Sequence, residues 1–335
     1  MKFKKVYVLC PIGLKTGGPE LLHQLVYQIN TIFGSNSAII VYLGDGKKTK
    51  PVSEYQKYIH NKWITINEIN DSADNVVVFP ETSLSLYNNW INIKKYIWWL
   101  SVDNFLLTSS FKYNFKNFGP LHTCVHWLKG NIKNYSKIIR DADLNLCQSY
   151  YAENYLKMQG ISQRKIVYLS DYINDLYVKD SKKALNISKK NIVLYNPKKG
   201  YKFTKKIISK SKSKNWKWIP LIGLKNSEVK KYLEISKVYI DFGNHPGKDR
   251  FPREAAISGC CVITDKRGAA RYYNDIPIAD EYKFNDTERY IPQIISKIKY
   301  CIDHYDVAVK DFDKYRSFIK SEKNDFKNEI INLFG

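Results

Sequence analysis

The sequence predicts an α/β protein made of two parallel-sheet domains that face each other across a cleft. Three observations predict it. Short, continuous apolar runs such as Val76–Phe79 (VVVF) and Ile97–Leu100 (IWWL) alternate with segments of helical periodicity. Strands covered on both faces read this way, whereas half-exposed antiparallel strands alternate apolar and polar residues. The series occurs twice, on either side of a Lys- and Ser-containing stretch, Lys179–Lys190, and 335 residues suffice for two domains of ordinary size. The expected division is an N-terminal domain over 1–180, a second domain over 190–290 and a basic helical segment over 291–335.

In the first series, Val6–Cys10 is a strand, followed by a glycine-containing loop over Pro11–Pro19. Glu20–Phe33 carries Leu21, Leu22, Leu25, Val26, Ile29 and Phe33 near helical spacing. Ala38–Leu43 is the second strand and ends at Gly44-Asp45-Gly46. Val76–Phe79 ends at Pro80-Glu81, and Ile97–Leu100 ends at Ser101-Val102-Asp103. Leu144–Gln148 is a short strand, Tyr150–Gln159 a helix stopped by Gly160, and Ile166–Leu169 a strand. The second series runs through the strand Ile192–Tyr195, the loop Asn196–Gly200, a Lys-rich helix near Lys202–Lys212 and the strand Trp218–Leu221. The helix Ser227–Ile235, the strand Val238–Phe242, the helix Phe251–Ser258 and the strand Cys260–Thr264 follow. From about Thr287 to Leu333 the chain reads as mostly helical and basic. In doubly wound sheets ligands bind beyond the carboxyl ends of the strands, so every strand-end loop is a site candidate.

Composition narrows the partners. With 54 Lys and Arg against 32 Asp and Glu, the formal net charge is +22, which attracts polyanions. Part of this excess fits a compositional bias, because Lys, Asn, Ile and Tyr are all abundant. The 44% hydrophobic share excludes a disordered chain, and 16 Gly with 11 Pro exclude collagen-like and low-complexity classes. The six cysteines show neither metal-ligand nor disulfide-framework spacing. The apolar run after Met1–Lys5 is too short for a signal peptide, and no stretch approaches the roughly 20 apolar residues of a membrane span. The expected location is cytoplasmic, with peripheral docking at the inner face of the membrane left open. No RNP-like, helix-turn-helix or zinc-finger pattern supports specific nucleic-acid binding.

The most informative segment is Val238–Gly268, VYIDFGNHPGKDRFPREAAISGCCVITDKRG. A strand ends at Asp241, and a loop with His245, Gly247, Lys248, Asp249 and Arg250 leads into a helix expected to open near Pro252, with Glu254 in its first turn. A helix start offers unsatisfied N–H groups and partial positive charge, which suits a phosphorylated ligand. Lys248, Arg250 and Arg253 add full charges, and Glu254 can accept from sugar hydroxyls. A solvated basic loop and a helix-dipole glutamate are the plainer alternatives.

This segment resembles the donor motif of GT-B glycosyltransferases, in particular the large retaining family called glycosyl transferases group 1. Glu254-Ala-Ala-Ile-Ser-Gly-Cys-Cys-Val-Ile-Thr264 matches the second half of that motif, and Glu254 falls on the glutamate that binds the nucleotide ribose. The family's first glutamate, which contacts the donor sugar, falls on Pro246, where His245, Lys248 or Asp249 stand nearest as substitutes. Retention and inversion therefore both stay open. Ile192–Gly200 (IVLYNPKKG) is similar to the start of the family's C-terminal domain, which places Lys198 and Lys199 nearest to the diphosphate. Thr16-Gly17-Gly18-Pro19-Glu20 looks like the glycine-rich loop after the first strand, which faces the donor. The resemblance implies two Rossmann-like domains and a nucleotide-sugar as co-substrate. It implies no cofactor and no metal.

Glu81 and Asp103, at strand ends, are the candidate bases for the acceptor hydroxyl; each also fits a capping or turn role. His122 and His126 are spaced four apart, but no carboxylate accompanies them and a metal pair is not expected. The aromatic and Lys-rich stretch Tyr87–Phe118 divides between core and an exposed remainder that would suit a membrane interface. The function expected is transfer of a sugar from a nucleotide-sugar to a glycan or lipid-linked glycan, in surface polysaccharide or glycoconjugate biosynthesis. A nucleotide-sugar 2-epimerase of the same fold and a non-catalytic basic binding or scaffold protein are the alternatives.

Overall fold

The computed structural model describes residues 1–44, 50–211 and 214–335. The expected strand end at Asp45-Gly46 and the expected helix end at Lys212 lie outside the described residues. The chain forms two compact units, Met1–Asp171 with Asn324–Gly335, and Tyr172–Lys323.

The first unit carries a seven-stranded sheet in the order β3-β2-β1-β4-β5-β6-β7. Its strands are β1 (Lys5–Pro11), β2 (Ala38–Leu43), β3 (Trp63–Thr65), β4 (Asn75–Pro80), β5 (Lys94–Trp99), β6 (Leu144–Cys147) and β7 (Ile166–Tyr168). All neighbours are parallel; Val6, for example, lies between Ala38 and Val76. Asn75–Pro80 is buried throughout, which is why it reads as a continuous apolar run. Two features of this unit escape the periodicity argument. β3 has three residues and sits on the edge, with Trp63 exposed. Between β5 and β6 the chain makes four short helices, α2 (Val102–Ser109), α3 (Phe111–Phe118), α4 (Pro120–Leu128) and a last one over Ser136–Asp141, where the sequence suggested core with an exposed remainder.

The second unit carries a five-stranded parallel sheet in the order β12-β11-β10-β8-β9. Its strands are β8 (Lys190–Tyr195), β9 (Lys217–Pro220), β10 (Ser236–Asp241), β11 (Cys261–Asp265) and β12 (Lys283–Phe284). Ile240 pairs with Tyr195 on one side and Ile263 on the other. The core of this unit includes Val193, Leu194, Tyr239, Ile240, Val262 and Ile263.

Two expected boundaries are displaced. The stretch Lys179–Lys190 lies inside the second unit and includes the helical residues Ser181–Leu185, and the units divide at Asp171/Tyr172. The segment 291–335 is not separate either. α9 (Ile291–Asp303) sends Ile294, Ile298 and Ile302 into the core of the second unit. α10 (Asp313–Phe334) begins in the second unit, but from Asn324 on it belongs to the first. There Phe326 stacks on Trp98 at 6.2 Å, and Glu329 accepts from the Ser170 N–H at 2.8 Å. Apolar residues from opposite ends of the chain thus complete one core, a pairing that local periodicity does not reveal.

Candidate functional site

Each sheet reverses its strand order once. In the second unit the reversal falls between β8 and β10, so the loops after these strands flank the crevice where doubly wound sheets bind ligands. Two glycines let the loops after β8 and β11 meet the loop after β10. Gly200 has φ +60°, and a Cβ there would lie 1.8 Å from the Phe242 carbonyl oxygen. Gly268, φ +51°, lies against His245 in the same way, with a Cβ 2.0 Å from its carbonyl oxygen. The Ala269 N–H then donates to that oxygen at 2.9 Å.

A charged network ties the loops together. The Lys199 ammonium donates to Asp249 at 2.6 Å and pairs with Asp241 at 3.1 Å. His245, fully buried, places Nδ1 2.7 Å from Asp249 and Nε2 3.3 Å from the Asp241 carbonyl and 3.5 Å from the Asp265 carboxylate. Asp265 accepts from the N–H groups of Gly243 at 2.5 Å and Arg267 at 3.1 Å. Burial pulls the Lys199 pKa down, but Asp241 and Asp249 outweigh it and hold the ammonium above its ordinary range. Burial and the Lys199 charge likewise oppose protonation of His245, yet the Asp249 hydrogen bond and the two aspartate charges leave its pKa raised. For Asp249 burial pushes the other way, and Lys199 and His245 bring its pKa well below the carboxylate range. Burial pushes Asp265 up to about 6.

Asp241, His245 and Asp249 offer ligand atoms within 4.8 Å of one another, a spacing that would suit a metal. The Lys199 ammonium already sits among them, with its Nζ also 3.4 Å from His245 Nδ1. The donor set is therefore matched by a side-chain cation, and its chemistry is that of an ion-pair network holding two loops.

α8 (Arg250–Ile257) opens directly from this network, with Asp249 at its N-cap. It starts two residues before the expected Pro252, so Glu254 lies in its second turn instead of the first. Arg250 and Glu254 share a neighbourhood with the Tyr177 phenol, which burial and Glu254 push up and Arg250 pulls back. Lys198, expected beside the diphosphate, is exposed on the β8 loop, where its N–H donates to the Asn196 side chain at 3.0 Å. Lys199, its expected companion, is engaged within the network instead.

Lys248 and Arg253 point elsewhere. Both are buried and converge on Glu322 of α10: Lys248 Nζ at 2.8 Å, and Arg253 Nη1 at 3.1 Å from each carboxylate oxygen. Lys248 also lies 4.6 Å over the Phe318 ring, and Arg253 Nη2 donates to the Lys248 carbonyl at 2.8 Å. One carboxylate thus holds both cations inside the protein. The sequence reading missed Glu322 because its partners are distant in the chain. It also missed Asp241 and Asp265, which close apolar strands and so carry the same strand-end signal that singled out Glu81.

In the first unit the order reverses between β1 and β4. Gly17 and Gly18 form the first turn of α1 (Gly17–Phe33), so the expected glycine loop is the opening of the helix itself. A Cβ on Gly18 would touch Leu100 at 3.7 Å, an ordinary contact. Glu81 follows β4, is buried, and accepts from the Leu100 N–H at 3.0 Å. Burial pushes its pKa up to about 7, against hydrogen bonds from the Leu100, Glu81 and Ser101 backbone. Asp103 lies in the first turn of α2, which Ser101 caps through its hydroxyl, and accepts from the Tyr151 hydroxyl at 2.9 Å. Glu81 and Asp103 are thus brought to the same carboxyl-end edge as Gly18. Next to Glu81, a cavity of about 600 Å³ is lined by polar residues such as Thr82, Asn114, His122 and Lys133 and by the apolar Leu107 and Phe118. The His122 and His126 rings stack at 4.3 Å.

Two parallel, doubly wound sheets in tandem define the GT-B fold, and known structures agree. By sequence, no family model and no curated protein matches the chain. By structure, it is similar to a glycosyltransferase of Rickettsia africae, with 16% identity over 100% of both chains and a TM-score of 0.62. It is also similar to HepE of Anabaena, solved with UDP-glucose, with 11% identity over 98% of this chain and 99% of that one and a TM-score of 0.59. A third likeness is to a protein assigned as a UDP-N-acetylglucosamine 2-epimerase of Listeria monocytogenes, with 9% identity over 93% and 91% of the two chains and a TM-score of 0.53.

Proposed function

We propose that the chain is a glycosyltransferase that moves a sugar from a nucleotide-sugar to a glycan or lipid-linked glycan acceptor. Surface polysaccharide or glycoconjugate biosynthesis, close to an anionic membrane face, is the setting that suits such an acceptor and the +22 charge. The observation that carries the reading is the crevice of the second sheet. There the glycine-mediated closure of the β8 and β10 loops brings exposed Lys198, half-buried Arg250 and the start of α8 around one switch point.

In this reading the diphosphate lies against Lys198, Arg250 and the N–H groups opening α8, and Glu254 accepts from the ribose hydroxyls. These fixed charges and dipoles stabilise the negative charge that builds on the leaving diphosphate, so the proposed reaction uses no metal. The acceptor oxygen bonds to the anomeric carbon as the bond to the diphosphate breaks. In an inverting course Glu81 or Asp103 takes the acceptor proton; in a retaining course the departing phosphate takes it. The cavity beside Glu81 offers the acceptor polar groups on Thr82, Ser85, Asn114 and Lys133, set among the apolar surfaces of Leu107 and Phe118. His245, Asp249 and Lys199 hold the loop that stands in for the missing first glutamate.

The test is a titration of UDP-, GDP-, dTDP- and CMP-sugars against the wild type, R250A and E254A. One nucleotide should bind, and each substitution should weaken it about tenfold or more. Binding of none, with neither transfer nor hydrolysis, overturns the reading; unchanged affinity in both variants overturns the site. The Listeria likeness favours one second reading, epimerisation of the donor sugar, and isomerised sugar formed without any acceptor would establish it.

A further inference from the structure

We propose that α3 and α4 form a docking element for an anionic bilayer surface. The argument rests on an inversion of the usual helical pattern, in which the apolar stripe faces the core. In α3, Phe111, Phe115 and Phe118 follow an i, i+4, i+7 spacing and are all exposed, while the polar Asn114 is buried. Its amide donates to the Leu107 and Ser110 carbonyls at 2.9 Å each. α4 repeats the pattern. Leu121, Val125 and Leu128 share one spacing and are exposed, Leu121 by 84% and Leu128 by 76%, while Thr123 is buried and donates to the Gly119 carbonyl at 2.7 Å. Trp127 is 57% exposed beside them. In two consecutive helices the one buried side chain is thus polar, while the large apolar ones face water beside exposed lysines, which marks an interaction surface.

Charge decides the occupant. No Asp or Glu occurs between Asp103 and Asp141, whereas Lys112, Lys116, Lys129, Lys133, Lys137 and Arg140 fall in that interval. The four lysines nearest the apolar residues, Lys112, Lys116, Lys129 and Lys133, are exposed. Exposed Phe, Leu and Trp with a one-signed Lys fringe is the composition that seats a helix in the headgroup zone of anionic lipid. An apolar protein partner would not require the exclusion of every acid over this interval. The inference deepens the proposed placement at an anionic surface. Vesicle binding is read without donor or acceptor, so it can fail while nucleotide binding stands, and the reverse.

Cys124 lies on α4 and is exposed, whereas the other five cysteines are buried, so it can be labelled selectively with an environment-sensitive fluorophore. The full-length chain so labelled should show a blue-shifted, stronger emission with vesicles of phosphatidylcholine plus phosphatidylglycerol, and little change with phosphatidylcholine alone. F115S combined with L128S should lower the apparent vesicle affinity by about tenfold or more. K112Q combined with K116Q should remove most of the preference for anionic lipid. Both pairs replace exposed side chains, so the thermal midpoint should stay unchanged. No spectral change with anionic vesicles, or wild-type binding by both variants, overturns the proposal. A dimer without vesicles that F115S with L128S abolishes also overturns it, in favour of a second copy of the chain.

Discussion

At Glu81, burial and backbone hydrogen bonding pull in opposite directions, and burial prevails, with a pKa of about 7. A group with that pKa is protonated below neutrality and ionised above it. If it is the base, transfer rises with pH through about 7, and E81Q lowers kcat by roughly a hundredfold or more with donor affinity unchanged. A pH profile of wild type and variant checks this. Stability should move the other way. The folded state holds the proton more tightly than the unfolded chain, whose ordinary value is 4.5, so wild-type stability is full below that pH and falls as pH rises through 7. The loss is about 3 kcal/mol, and denaturant midpoints of E81Q should lack it. The candidate was legible in the sequence because Glu81 directly follows VVVFP. Its altered proton affinity was not, since this depends on how deeply the rest of the fold covers the carboxylate.

At the scale of elements, the loops after β8 and β10 are held by close backbone approach and by buried charge. G200A would force a Cβ into the Phe242 carbonyl at positive φ, and should cost more than about 1 kcal/mol while loosening the Lys199 network. Urea unfolding measures the first effect and donor titration the second. The loop–helix connection through Glu322 behaves differently. E322A would leave Lys248 and Arg253 buried without their carboxylate, a change that costs about 3–5 kcal/mol. Chemical denaturation should show that loss even if nucleotide affinity, once refolded, is near normal. Here the sequence was half informative. The strand–loop–helix order of 238–264 is plain from apolar runs and the Gly259 stop. Spacing alone does not show whether a loop lysine faces a ligand or a buried acid, and Lys248 and Lys199 both proved to face acids.

For the whole molecule, the return of α10 to the first unit has the largest consequence. F326A removes a ring stacked on Trp98, and should destabilise the first unit by about 3–5 kcal/mol although the residue lies far in sequence from the Met1–Asp171 part of that unit. Calorimetry should show the first unit's transition lowered while the second unit's transition stays. The six cysteines are free, and among the described residues no helix is long and apolar enough to cross a membrane. The sequence by itself determined the α/β class, nearly every parallel strand and the strand-end positions of the candidate residues. These follow from local chemistry: a strand covered on both faces must be continuously apolar, and ligands gather where such strands end. Only the tertiary structure decided which charges are matched inside the protein, where the units divide, and that α3 and α4 face outward with their apolar sides. Those outcomes depend on groups brought together from distant parts of the chain, and burial, which sets the cost of an unpaired charge, is a property of the assembled fold.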